Sequence, residues 1–489
     1  MNFFKGSSSP YSDLVAAANE GSNYKVAQLL RGWKPPISEF RSDLLTKVLA
    51  QINPQKSAAA YVQVVIDIIN LATTADQLLL VSDALATMAS GATDLSQVDR
   101  VPDLMVRLSS AFGLMAQDTG DYAGTCGLMV DMVDVLNAQY AAQATDGPAE
   151  IRGVRGRFET QRLGGFRGTR LTALHVECLR QCIVARRRTL HERVAQTVLG
   201  VEFASFGRQG GALCAKQFMA YRYYAGMVYA ALGDRLSLEQ AQRQWMLVFS
   251  MPGKFASAIQ LAAYRRMLLL TVILDGTRFR LPSFYPPTHS RALETNAGTY
   301  SGIAEACVGA KSMATALARV KEAQRMLDRD GNLGLANMLV SSLPMHFVRR
   351  LGRVYSTMRL GQLTEAIGFG AHPLANSSEG PDALARLLAQ IIQANDENSQ
   401  MVSLATNDEP IVGAHTVVRF SPAYATLSSL PNVPVAAGSE RVAVEQQLAG
   451  ILQTQVAETR ALHEKLVQLD RHLALSSEYA ANSREQTTN

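Results

Sequence analysis

Apolar residues recur at helical spacing through most of the first 136 residues. Leu14, Ala17 and Ala18 precede a turn at Gly21, and a second apolar group follows at once, which predicts a helical hairpin. Each predicted helix has an apolar face that it cannot cover alone, so the pattern predicts an α-solenoid of TPR-like helical repeats. The further helices predicted here cover residues 44–49, 61–71, 75–88, 102–114 and 122–136.

The helical pattern resumes at residue 171. One long helix is predicted over residues 171–199, and a helical pair over residues 214–249 turns at Gly233 and Asp234. Further helices are predicted at residues 256–274 and 288–308. The expected fold class is therefore mostly α.

Four shorter helical patterns follow between residues 329 and 399. Pro344 falls between the first two, where proline suits the first turn of a new helix. Pro381 opens the fourth, with Asp382 near the positive end of the helix dipole. The apolar positions that define the four helices are Leu335, Leu339 and Leu343; Phe347, Leu351, Val354 and Met358; Leu360, Leu363 and Ile367; and Leu384, Leu387, Leu388 and Ile391.

The spacing of the apolar residues then changes from helical to every second residue. Val402 and Leu404 alternate on one side of a polar connection and Val418 and Phe420 on the other, which predicts the two strands of a β-hairpin. Helices followed by a hairpin predict a winged helix with a small β-hairpin wing.

The charges of this module do not suit DNA. A helix in the major groove needs cationic or amide side chains for bases and phosphates. Between residues 379 and 420 the cations are Arg386 and Arg419, against six acidic residues, and Asp408 and Glu409 stand at the wing tip. The pattern favours a protein-binding wing that offers a sheet edge to another chain, and an ordinary edge protected by charge remains the alternative.

Composition sets broad limits on the whole chain. Its 489 residues carry a net charge of +5, which does not by itself indicate nucleic acid. Five cysteines without a CxxC pair, and a start that lacks the apolar core of a signal peptide, predict reduced intracellular thiols. The densest apolar run, residues 267–274, is shorter than the roughly 20 residues that a membrane span needs.

Three features could carry chemistry, and each has a structural alternative that we favour. Residues 151–170 contain six arginines and five glycines, and the segment could bind RNA or form a solvated connector. Cys178 and Cys182 lie one helical turn apart, with His175 nearby, and this spacing suits either metal ligands or buried thiols. The tyrosines between residues 221 and 229 could bind a ligand, or their rings could pack between helical layers. The eight histidines form no HxH or HExxH and no phosphate-binding glycine motif occurs, so we expect neither an enzyme nor a cofactor.

The composition changes after Phe420. Residues 421–438 form a proline-bearing linker, and residues 439–475 are predicted as one long helix. Its leucine seam suits a bundle made with other chains, although folding back onto the solenoid is the alternative. Residues 476–489 are polar and expected to be disordered.

The order of solenoid, winged helix and bundle helix resembles the PCI-domain family, whose scaffolds occur in the proteasome lid, the COP-nine signalosome and translation initiation factor three. Three segments are similar to the family of the signalosome's third subunit. They are LTALHVECLRQC at residues 171–182, AKQFMAYRYYAGMVYAAL at residues 215–232 and RDGNLGLANMLVSSL at residues 329–343. The resemblance covers residues 151–420.

The resemblance implies a non-catalytic scaffold subunit of the signalosome, which deneddylates the cullins of cullin-RING ubiquitin ligases through a metal centre in another subunit. It implies that subunits one and eight are neighbours, that the subunits share a helical bundle and that the complex works in nucleus and cytoplasm. We expect no DNA or membrane partner, and an RNA partner is not favoured. The implied winged-helix interface is Met401, Val402, Ser403, Leu404, Thr416, Val417, Val418 and Phe420, and the implied bundle interface is Leu462, Leu466, Leu469 and Leu473.

The expected domain organisation follows from both arguments. It comprises a helical-repeat region (1–213), a PCI domain (214–420, with helical part 214–330 and winged helix 331–420), the linker (421–438), the bundle helix (439–475) and the tail (476–489). A proteasome-lid PCI subunit and an RNA-binding initiation scaffold remain as alternative functions.

Overall fold

A computed structural model defines the fold over part of the chain. Several predicted features lie outside the described residues: the arginine and glycine segment up to residue 168, Met401, the wing tip, and everything after Phe420, including the four bundle leucines. The described residues are 10–31, 33, 42–71, 84–91, 93–98, 101, 103–145, 169–199, 203–205, 215–249, 251, 256–282, 285–309, 312–377, 380–399, 402–405 and 413–420.

The described residues up to 145 form helices joined by turns, as the apolar pattern predicts. Ser22 begins the second helix by accepting a hydrogen bond from the Lys25 amide at 3.4 Å, which stabilises the start of the helical hairpin. Residues 84–89 are also helical. The helices are α1 (Pro10–Asn19), α2 (Asn23–Leu30), α3 (Ser42–Leu49), α4 (Ala58–Leu71), α5 (Leu95–Val98), α6 (Leu104–Thr119) and α7 (Tyr122–Thr145).

The middle of the chain continues in helices and adds one short parallel strand pair, β1 with β2. Ser257 and Gln260 form a capping box, because each side chain bonds the backbone amide of the other residue. The elements are β1 (Thr169–Arg170), α8 (Ala173–Ala185), α9 (Arg188–Thr197), β2 (Phe203–Ser205), α10 (Ala215–Leu232), α11 (Arg235–Phe249), α12 (Ala258–Asp275), α13 (Pro287–Asn296), α14 (Gly298–Gly309), α15 (Met313–Glu322) and α16 (Gln324–Arg329).

The last described part combines three helices with a three-stranded antiparallel sheet in the order β3-β5-β4. The helix–strand–helix–helix–strand–strand sequence, with the last strand in the middle of the sheet, is the arrangement of a winged helix. Two short 3₁₀ turns, Phe369–Ala371 and Pro373–Ser377, join its second and third helices. The elements are α17 (Leu333–Leu351), β3 (Thr357–Arg359), α18 (Leu360–Ile367), α19 (Pro381–Ser399), β4 (Val402–Ala405) and β5 (Val417–Phe420).

Two predicted helices are each broken in the structure. The prediction of one helix over residues 171–199 was wrong, because α8 ends at Arg186, which adopts a left-handed conformation with φ 52°. No glycine or proline marks that break. The helix predicted over residues 288–308 ends at Asn296 and restarts at Gly298, because Ala297 leaves the helical region with φ −111° and ψ 17°.

The prediction that Pro344 starts a new helix was also wrong. α17 runs without interruption from Leu333 to Leu351 and contains Pro344 in its interior. A proline there leaves the carbonyl four residues earlier without its helical donor. That carbonyl, on Val340, accepts a hydrogen bond from His372 Nε2 at 3.0 Å, so a residue from outside the helix replaces the missing amide.

The sequence-based prediction continued the helix too far beyond the end of α17. Val354 lies beyond the helix with 75% of its surface exposed, and Met358 belongs to strand β3. In α19, Leu388 is buried as predicted, whereas the other three leucine and isoleucine positions are half-buried. The buried face of α19 is instead centred on Ala385, Leu388, Ala389 and Ile392.

The described core consists of three clusters of buried apolar side chains. The first extends from Tyr11 to Val228, the second from Leu238 to Leu343 and the third from Met313 to Phe420. α10 contributes Tyr221 and Val228 to the first cluster, whereas its neighbour α11 begins the second. The third cluster joins Met313 of α15 to the interior of the winged helix and fixes the sheet on its helices.

Candidate protein-interaction surface

The predicted wing forms as a hairpin, and a strand that the sequence analysis missed completes its sheet. β3 pairs with β5 on one side and β4 pairs with β5 on the other. Both edges of β5 are therefore occupied, so Val417 and its neighbours on β5 cannot offer a free backbone edge. Val418 is fully buried and Phe420 nearly so. Only the β4 part of the predicted interface, from Val402 to Leu404, lies at an edge of the described sheet.

The direction of the amides on β4 follows from the register. The Phe420 amide donates to the Ser356 carbonyl at 2.9 Å, and the Leu360 amide donates to the Thr416 carbonyl at 2.8 Å. Because hydrogen-bonding directions alternate along a strand, the polar groups of Arg419 face β4, where its register partner is Ser403. The amides of Val402 and Leu404 therefore point away from β5, as an edge that could pair with another strand requires.

Two glycines allow the sheet to lie close to the helices. A Cβ atom on Gly352 would lie 2.7 Å from Phe420 Cδ1, and one on Gly361 would lie 3.1 Å from the Ala414 carbonyl oxygen. The Gly361 amide donates to that same carbonyl at 2.9 Å. These contacts hold β5 near the end of α17 and the residues before β5 near the start of α18.

The charges on the third helix of this module match the expectation from the sequence. α19 contains one cation, Arg386, against Asp382, Asp396 and Glu397. α17 carries Arg349 and Arg350, but these two arginines engage the helical region. Arg350 donates to the Val308 carbonyl at 3.3 Å, and burial, followed by the nearby Arg235, lowers the pKa of Arg349. α19, with one cation against three acidic residues, does not suit the phosphates of a major groove.

A polar network at the start of α17 connects the winged helix to the preceding helices. Asp330 accepts hydrogen bonds from Arg265 at 2.9 Å and from the Tyr300 hydroxyl at 3.0 Å. Asn332 donates to the same hydroxyl at 2.8 Å. Because Arg265 and Tyr300 belong to α12 and α14, these bonds hold the entry to the winged helix on the helical region.

His346 makes a second connection between these parts. Its Nε2 lies 3.1 Å from the Ile273 carbonyl and therefore donates to it, since a carbonyl can only accept. Gly276 ends α12 in a left-handed conformation, and a Cβ there would lie 2.7 Å from His346 Nδ1. Burial lowers the pKa of His346 to about 4, so the ring is neutral at physiological pH.

The candidate thiols lie together in the interior. Cys126, Cys178 and Cys182 are fully buried, and the sulfurs of Cys126 and Cys178 are 4.0 Å apart. A hydrogen bond with Cys178, together with burial, raises the pKa of Cys126, and a hydrogen bond with Cys126 and burial raise that of Cys182. These two thiols are therefore protonated and behave as small apolar groups. Among the described residues, no group of three His, Cys, Asp or Glu side chains could hold a metal ion.

The tyrosine-rich helix α10 packs between helical layers. Tyr221 is fully buried, and the Tyr223 ring lies 4.9 Å from the guanidinium of Arg266 on α12. Tyr221 and Tyr223 thus serve the contact between layers. None of the helices within the described ranges combines the length and apolar character needed to cross a bilayer.

Comparison with known proteins finds a match for part of the helical region. The family described as COP9 signalosome complex subunit 3, N-terminal helical repeats, matches residues 160–288. The chain is similar to COP9 signalosome subunit 3. This confirms the resemblance that three segments of the sequence indicated, and the helical-repeat description agrees with the mostly α fold.

Two curated relatives carry the same name. COP9 signalosome complex subunit 3 of Drosophila melanogaster is 26% identical over 153 residues, which cover 31% of this chain and 33% of that protein. The protein of that name from Dictyostelium discoideum is 19% identical over 199 residues, which cover 41% of this chain and 46% of that protein. The chain thus spans between a third and a half of the length of these relatives.

Proposed function

We propose that the protein is a non-catalytic scaffold subunit of the COP9 signalosome. The observation that carries this proposal is the match of residues 160–288 to the helical repeats of subunit 3, in a chain whose later part folds as a winged helix. The acidic balance of α19 supports a protein partner for the winged helix, because it does not suit DNA.

The proposed assembly uses two regions of the chain. The β4 edge of the PCI winged helix pairs with a neighbouring PCI subunit, with subunits one and eight as the proposed neighbours. The predicted helix of residues 439–475 enters the helical bundle of the complex. Cullin deneddylation then takes place at the metal centre of another subunit, and the complex works in nucleus and cytoplasm.

The first test is mass spectrometry of the proteins that copurify with the native chain. Recovery of signalosome subunits with cullin deneddylase activity supports the proposal. Recovery of proteasome particles without that activity indicates a lid subunit instead, and recovery of initiation factors with RNA indicates the initiation scaffold.

A proline in β4 tests the proposed edge. Val402→Pro removes an amide that points away from β5, so the chain should stay folded while its copurification with neighbouring subunits falls about tenfold or more. Val402→Ala is the matched control, because it shortens the side chain and keeps the amide. Equal copurification of the proline and alanine variants would show that β4 pairs with no neighbour.

A further inference from the structure

Three consecutive arginines form the connection between α8 and α9. Arg186 and Arg187 lie between the two helices, Arg188 is the first residue of α9, and all three side chains are exposed. We refer to these three residues as the arginine turn. They belong to the helical region.

The backbone of the arginine turn is held in a conformation that favours glycine. Arg186 has φ 52° and ψ 32°, in the left-handed region, which costs a residue with a Cβ atom roughly 1 kcal/mol. Arg187 is extended, with φ −103° and ψ 121°. Residues held in such conformations cluster at binding sites, and this one projects a guanidinium from a sharp bend.

Two of the three charges have no acidic partner among the residues that the structure describes. Arg188 Nε lies 3.1 Å from Glu192 Oε1, in an exposed ion pair. Within the described ranges of the chain, no acidic side chain pairs with Arg186 or Arg187, and neither side chain is engaged by a ring or a hydrogen bond. Two exposed guanidiniums are thus available to bind carboxylates, with a planar geometry that suits them.

A second turn lies beside the first and adds apolar surface. Burial acts to raise the pKa of Asp234, but hydrogen bonds from Ser237 and the nearby Arg188 guanidinium outweigh it and lower that pKa. α9 also packs against α10, so the turn between α10 and α11 lies near the start of α9. Two exposed aliphatic side chains flank these turns, since Val184 near the end of α8 is 44% exposed and Leu236 near the start of α11 is 74% exposed.

We propose that the arginine turn binds a segment of a protein partner in which acidic side chains alternate with apolar ones. The guanidiniums of Arg186 and Arg187 would donate hydrogen bonds to the carboxylates, and Val184 and Leu236 would contact the apolar side chains. A single-stranded nucleic acid fits less well. Residues 184–188 and 233–237 contain no aromatic side chain for base stacking.

The test measures binding of a short fluorescein-labelled peptide of alternating glutamate and leucine to the full chain by fluorescence anisotropy at physiological salt. The variant combines Arg186→Gly with Arg187→Ser. Glycine fits φ 52° without strain, so this variant should be at least as stable as the wild type, and a loss of binding cannot come from unfolding. We expect affinity to fall about tenfold or more.

The matched control combines Arg319→Ser with Arg325→Ser, which removes two exposed arginines from α15 and α16 and should leave the affinity unchanged. The corresponding peptide of glutamine and leucine should bind weakly to every variant. The proposal is overturned if the wild type does not bind the acidic peptide, or if both variants lose affinity equally. Binding of oligouridine as tight as that of the acidic peptide would assign the site to phosphates instead.

Discussion

At the scale of single residues, one glycine decides how closely α10 and α11 pack. A Cβ atom on Gly226 would lie 2.3 Å from Trp245 Nε1. The Trp245 side chain is fully buried, and its Nε1 donates to the Tyr223 carbonyl at 3.1 Å, so the ring cannot move aside without breaking that bond. The glycine thus makes room for the largest side chain of the second cluster.

We expect Gly226→Ala to destabilise the protein by about 1–3 kcal/mol, because the added methyl overpacks the contact with Trp245. The measurement is the urea midpoint followed by circular dichroism. Gly127→Ala is the control, since this helical glycine has nothing within 4 Å of the added Cβ, and it should be neutral or slightly stabilising. Equal effects of the two substitutions would contradict the packing argument.

At the scale of elements, His372 allows α17 to continue through Pro344. Its Nδ1 accepts from the Leu374 amide at 3.3 Å while its Nε2 donates to the Val340 carbonyl, so the ring is neutral with its proton on Nε2. The Phe369 ring stacks on it at 5.5 Å. The connection between α18 and α19 is thereby attached to α17 at the point where the helix lacks a donor.

A double-mutant cycle tests this substitution of one donor for another. His372→Phe keeps an aromatic ring and leaves the Val340 carbonyl without a partner, which should cost about 1–3 kcal/mol. In a Pro344→Ala background, the restored amide of residue 344 can bond Val340, so the same change should cost clearly less. Unfolding in urea measures all four proteins. Additive costs would show that the two residues do not share this carbonyl.

At the scale of the whole molecule, buried neutral histidines link the stability of the fold to pH. Burial lowers the pKa of His175 to about 3, and burial, followed by the charge of Arg349, lowers that of His346 to about 4. Burial also lowers the pKa of His372. In the unfolded chain each histidine titrates at about 6.5, so the unfolded state binds more protons below that pH.

The expected result is a protein that is most stable above about pH 6.5 and loses stability as the pH falls. At pH 5, His175 and His346 should each reduce the free energy of unfolding by about 2 kcal/mol. Urea unfolding between pH 7.5 and 5 measures the slope. His346→Gln, which keeps a donor for the Ile273 carbonyl, should reduce the slope by the contribution of one histidine. An identical slope in this variant would contradict the assignment.

The sequence by itself determined the class of fold and most of its helices, because an apolar period of 3.6 or two depends on neighbouring residues alone. It indicated the turn at Gly233 and Asp234, the start of α19 at Pro381, the two strands of the hairpin and the resemblance to signalosome subunit 3. It also indicated that Cys178 and Cys182 are buried, since thiols on an apolar helix face usually are.

Only the tertiary structure decided which strand edge is available and where helices break or continue. β3 was missed because it is three residues long and exists through its pairing with β5. The continuation of α17 through Pro344 depends on a histidine 28 positions later in the chain, and the break at Arg186 has no local sequence signal. These features follow from contacts between residues distant in sequence, which a periodic pattern does not encode.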